Sequence, residues 1–84
     1  MEFQVIISRQ AEKELRKIGH PHRSRIIKVL VTLGKDPFMG KRLRGFLADC
    51  WSVKAWPYRI IYQIERKKLL VLIVKVGHRQ GIYN

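Results

Sequence analysis

Four side chains in the second half of the chain have the right chemistry to act together on a phosphodiester: Lys54, Arg59, Arg79 and Tyr83. Other chemistries lack their parts. One cysteine and three histidines (His20, His22 and His78) offer no metal-ligand spacing. No pair of carboxylates suggests glycoside or two-metal chemistry, and no glycine-rich phosphate loop is present. RNA can be cut without a metal or cofactor by cations and a proton acceptor. A base takes the ribose 2′-hydroxyl proton, and the freed oxygen attacks phosphorus. Cations hold the extra negative charge while an acid protonates the leaving oxygen. Arginine suits the charge-holding task because its planar fork meets two phosphate oxygens at once. A phenol is a poor base at neutral pH, but neighbouring cations favour its ionised form.

These residues meet only if the strands that carry them are neighbours. Trp51, Val53 and Ala55 alternate with Ser52, Lys54 and Trp56, the period of a strand with two unlike faces. Pro57 breaks it, and residues 58–65 read as the return strand. There Ile60, Tyr62 and Ile64 share one face, and Arg59, Ile61 and Gln63 the other. Arg66-Lys67-Lys68 is a charged turn. Residues 69–76 are nearly all apolar, which predicts a central strand covered on both faces. Gly77 then releases the chain into the basic end that holds His78, Arg79 and Tyr83.

The first half supplies the support. Residues 3–7 read as a strand, and the Ser8 hydroxyl can cap the helix that comes next. Ala11, Leu15 and Ile18 recur at helical spacing, and Gly19 is expected to end that helix. Pro21 suits the first turn of a second helix, with Ile26, Val29, Leu30 and Leu33 as its apolar stripe and Gly34 as its close. Asp36-Pro37 begins a loop. The pattern predicts an α+β fold in one domain over residues 1–84. An N-terminal strand, a helical hairpin and a three-stranded antiparallel run would pack with the helices on one face of a four-stranded sheet.

Charge names the class of partner. Eighteen Lys and Arg face six Asp and Glu, a net +12, and such an imbalance is relieved by a polyanion. Arg23, Arg25, Lys28, Lys41, Arg42 and Arg44 are candidate contacts to RNA backbone; a solvated basic face is the alternative. Trp51 and Tyr62 fall on core faces. Trp56 and Tyr58 flank the turn and are the expected exposed aromatics, with Trp56 able to stack on a base. Cys50 stands alone, no apolar run reaches membrane-spanning length, and the start lacks the pattern of a signal peptide. The expected location is the cytoplasm, with no membrane partner.

The sequence also resembles the RelE/ParE toxin superfamily. The segments that carry the resemblance are residues 11–18, Asp36-Pro37 followed by Lys41-Arg42-Leu43-Arg44-Gly45, Tyr58-Arg59-Ile60-Ile61-Tyr62, and Val76-Gly77-His78-Arg79 followed by Tyr83. Their order and spacing span nearly the whole chain. The resemblance implies a toxin that cuts messenger RNA in the ribosomal A site and is silenced by a RelB-like antitoxin. It assigns Lys54 to phosphate contact or proton transfer, and Arg59 and Arg79 to the phosphate. Tyr83 would act as base or stacking partner, with His78 as a neighbour of the set. Ser52 stands where well-known RelE enzymes carry a second lysine. The superfamily also implies two alternatives: a ParE-like poison of DNA gyrase, and a catalytically weak member that only binds RNA or antitoxin.

Overall fold

The computed structural model describes residues 2–82. The chain runs β1 (Gln4–Ile7), α1 (Arg9–Arg16), α2 (His22–Lys35), β2 (Lys41–Arg42), β3 (Trp51–Ala55), β4 (Tyr58–Glu65) and β5 (Leu70–His78). Single turns of 3-10 helix occupy Pro37–Met39 and Gly45–Leu47.

The Ser8 hydroxyl accepts the Ala11 N–H at 3.1 Å, as a helix cap should. The same hydroxyl donates to the Val74 carbonyl at 3.1 Å, which ties the start of α1 to β5. Helix α1 ends at Arg16 with Lys17 as its cap, before Gly19. Ile26, Leu30 and Leu33 are buried along α2, with Val29 packed beside them. Gly34 does not close α2; the helix continues to Lys35. Its role is close approach. The Phe3 N–H donates to the Gly34 carbonyl at 2.7 Å, and a Cβ at Gly34 would lie 3.1 Å from the Phe3 carbonyl oxygen.

The fold is α+β, with both helices on one face of the sheet, as the sequence predicts. The sheet has five strands, not four, in the order β1-β5-β4-β3-β2. β1 pairs with β5 in parallel, and the other neighbours are antiparallel. The added strand is β2, which pairs Lys41 with Ser52 and Arg42 with Trp51. Two residues carry no periodicity, so a strand this short leaves no mark in the pattern.

The main core lies between helices and sheet: Ala11, Ile26, Leu30, Leu33, Val53, Ala55, Ile60, Tyr62, Val71 and Ile73 among others. A smaller cluster of Cys50, Ile61 and Ile82, with Leu43, Leu47 and Val74 against it, covers part of the opposite face. β5 is therefore not covered on both faces along its length: Leu72 remains 37% exposed and Ile6 on β1 39%.

The β4–β5 register shifts at Ile61/Tyr62, where Ile61 pairs with Lys75 and Tyr62 with Ile73. A bulge of this kind re-aims the side chains on either side of it. Beyond it Val76 joins the helix-side core, while Gly77 pairs with Arg59. Glu14 on α1 braces this point, its Oε1 accepting the Val76 N–H at 2.9 Å. Among the described residues no helix is long and apolar enough to cross a membrane.

Candidate active site

β3 and β4 pair Lys54 directly with Arg59. Val53, Ala55, Ile60 and Tyr62 face the helices, so strand alternation sends Lys54 and Arg59 to the open face. Directly opposed side chains on one face have Cβ atoms about 5 Å apart, and like charges there repel. No carboxylate relieves this pair: the one ion pair among the described residues, Arg16 with Glu12 at 3.0 Å, is on the surface of α1. An uncompensated cationic pair on a rigid hairpin is a ready contact for an anion.

Beside the pair lies a recess of about 340 Å³, lined by Met39, Gly40, Lys41, Leu43, Ser52, Val53, Lys54 and Arg59. Its wall is shaped by Tyr62, whose hydroxyl donates to the Pro37 carbonyl at 2.7 Å and accepts the Gly40 N–H at 3.2 Å. Burial raises the Tyr62 pKa, opposed by the Gly40 hydrogen bond and reinforced by the Asp36 charge. A Cβ at Gly40 would come within 2.5 Å of both the Ser52 carbonyl and the Tyr62 hydroxyl, so glycine is required there. Ser52, 5% exposed, is a buried polar residue in this wall. A larger groove of about 620 Å³ runs past Ile6, Leu70, Leu72, Asp49, Glu65 and Arg66. It holds neither Lys54 nor Arg59, so the smaller recess, which both of them line, is the better candidate.

Arg79 comes directly after β5, and its N–H donates to the Pro57 carbonyl at 3.0 Å. Its guanidinium carbon lies 4.5 Å from the centre of the Trp56 ring. Lys54, Arg59 and Arg79 are thus brought to the same end of the sheet. Tyr83 lies outside the described residues. His78 is turned elsewhere: its ring meets Tyr58 edge-on at 5.8 Å, and its Nδ1 accepts the Gln80 N–H at 3.3 Å.

Trp56 is exposed, as expected, at 59%. Tyr58 is not its exposed companion. It is half-buried between His22, at 5.6 Å, and His78. Arg23, Lys28, Lys41, Arg42 and Arg44 are all exposed, but they do not form one patch. Lys41 lines the recess, whereas Arg23 and Lys28 ride on α2 behind the sheet. Arg25 is exposed too, yet its Nη1 donates to the Trp56 carbonyl at 2.7 Å. The sequence pattern gave no sign of Glu14, Gly40 or the buried Ile82. Only the isolated apolar residue in a polar tail could have drawn attention to the last.

Residues 5–83 match the family model of the ParE toxin of type II toxin–antitoxin systems, parDE. The chain belongs to this family. The ParE-family chain is 32% identical over 83 residues to the mRNA interferase toxin RelE of Escherichia coli K12, covering 95% of this chain and 86% of that one. It is also 32% identical over 89 residues to toxin RelG of Mycobacterium tuberculosis, with 99% and 98% covered. Among solved structures, the toxin–antitoxin complex RelBE2 from Mycobacterium tuberculosis superposes with a TM-score of 0.88 at 27% identity, covering 94% of this toxin and 100% of that chain.

Proposed function

We propose that this ParE-family toxin is an endoribonuclease that cuts messenger RNA in the ribosomal A site without a metal, by attack of the ribose 2′-hydroxyl on the adjacent phosphate. The supporting observation is the Lys54–Arg59 cross-strand pair with Arg79 at the same end of the sheet. Arg59 and Arg79 hold the phosphate and the charge that develops on it. Lys54 contacts phosphate or transfers a proton, and Tyr83 serves as base or stacks on a base. Two relatives carrying the RelE or RelG toxin names, one of them called an mRNA interferase, support the reading.

A RelB-like antitoxin is the proposed silencing partner, because the superposed structure of Mycobacterium tuberculosis is a toxin–antitoxin complex. Its contact surface should be acidic to meet a chain of net charge +12. Proposed work on the ribosome places the toxin in the cytoplasm.

Primer extension on translated mRNA with purified toxin and ribosomes tests the proposal. Cuts at codon positions are expected. Arg59→Ala and Arg79→Ala should each slow cleavage by roughly 10²–10³, the usual loss when a donor to transition-state charge is removed. Cleavage by Arg59→Ala at the unaltered rate would remove that residue from the site. Intact mRNA together with gyrase–DNA cleavage complexes would overturn the nuclease reading in favour of a gyrase poison.

A further inference from the structure

We infer that Trp56 and Arg25 are positioning residues that hold the Arg79 guanidinium in place, and that Trp56 is not a shelf for an RNA base. The rate predictions rest on the proposed nuclease activity; the placement of Arg79 is tested without it.

Arg79 is an exposed residue in the turn after β5, with a long side chain that is costly to order. Its backbone is tied down by the bond from its N–H to the Pro57 carbonyl at 3.0 Å. The side chain is placed by the Trp56 indole, whose ring centre lies 4.5 Å from the guanidinium carbon, well within cation–π range. Stacking uses the flat face of the guanidinium, while its N–H donors lie in the plane at the edge. A phosphate can therefore be gripped without breaking the stack. A base that stacked on the same indole face would have to displace Arg79.

The platform also needs support, because Trp56 sits at the exposed tip between β3 and β4. Arg25 supplies it from the far layer of the fold. Its Nη1 donates to the Trp56 carbonyl at 2.7 Å, a short charge-assisted contact across 31 positions of sequence. The result is a chain of contacts from α2 to the turn backbone, from the indole to Arg79, next to the Lys54–Arg59 pair. Arg25 is an expected contact to RNA backbone, and within the fold its Nη1 also holds the Trp56 carbonyl.

The test combines kinetics with NMR. Trp56→Leu should lower kcat about 10-fold with KM unchanged, and Trp56→Phe should keep most of the rate. In an Arg79→Ala background, Trp56→Leu should cost nothing further, since the group it positions is gone. Arg25→Ala should lower kcat several-fold, and Arg25→Lys should restore part of it. In the isolated protein, the Arg79 side-chain protons should carry the upfield shift of an overlying ring, lost in Trp56→Leu and kept in Trp56→Phe. Arg79 signals unmoved by Trp56→Leu would overturn the inference whether or not the protein cuts RNA. So would a rise in KM with kcat unchanged that adds fully to Arg79→Ala, the signature of a base-stacking shelf. If the nuclease reading itself fails, the unaltered protein shows no cleavage while the NMR comparison still decides the placement.

Discussion

At the scale of residues, the candidate site depends on small groups that make room as well as on the cations. Tyr62 holds the Pro37–Met39 turn through two hydrogen bonds, and Gly40 admits the Tyr62 hydroxyl against the Ser52 backbone. Tyr62→Phe removes the donor to Pro37 and the acceptor for Gly40, so it should destabilise the fold by about 1–3 kcal/mol, measured by urea unfolding. The Tyr62 pKa is raised, mainly by burial. The folded state therefore keeps this proton where the unfolded chain releases it. The associated stability is complete below the usual tyrosine range near pH ~10 and is lost as pH climbs through the folded value. Unfolding tracked upward from pH ~9 should show a shallower loss in Tyr62→Phe than in the unaltered protein. Ser52 belongs to the same wall. It is buried and lines the recess together with Lys54 and Arg59.

At the scale of elements, α1 does more than cover the core. Its Ser8 cap reaches Val74, the residue skipped in the register, and Glu14 accepts the Val76 N–H, so one short helix holds both the β5 bulge and the strand just beyond it. Ser8→Ala should cost about 1 kcal/mol as a lost cap. Glu14→Ala should cost about 1.5–3 kcal/mol as a lost charged acceptor, and both are measurable by thermal melts. Glu14→Ala should also slow cleavage, because the bulge sets which residues after it face Arg59.

Strand period and the Pro57 turn made the Lys54–Arg59 pairing legible in the sequence, since alternation and hairpin geometry are local. What escaped was non-local or too short to repeat. The β5 bulge leaves no local signature. β2 is two residues long. Tyr58 looked like an exposed turn residue because the histidines that enclose it arrive from α2 and from the end of β5. Gly34 looked like a helix stop, but the residue that requires it is Phe3, at the other end of the first half. Arg25 looked like one more surface cation until the fold carried the Trp56 carbonyl to it.

At the scale of the molecule, the excess of positive charge is left almost unneutralised from within, with one exposed ion pair among the described residues. Self-repulsion of this kind lowers the stability of the compact state. Nucleic-acid binding should accordingly weaken steeply with salt. For a footprint of about 4–6 phosphates on single-stranded RNA, log K should fall with a slope near −3 to −4 against log salt. Titration of a fluorescent RNA across salt concentrations checks it, and a flat response would show that the basic surface is not the contact.

The parallel pairing of β1 with β5 joins the first strand of the fold to its last. A ribosome making this chain delivers β1 long before its neighbour exists, and the exit tunnel hides the newest residues from the growing end. The edge strand must wait, unpaired, until its partners Leu70 to Ile73 have emerged. Contacts between ends this distant form slowly. The interval before closure is when a waiting partner can meet the emerging protein first.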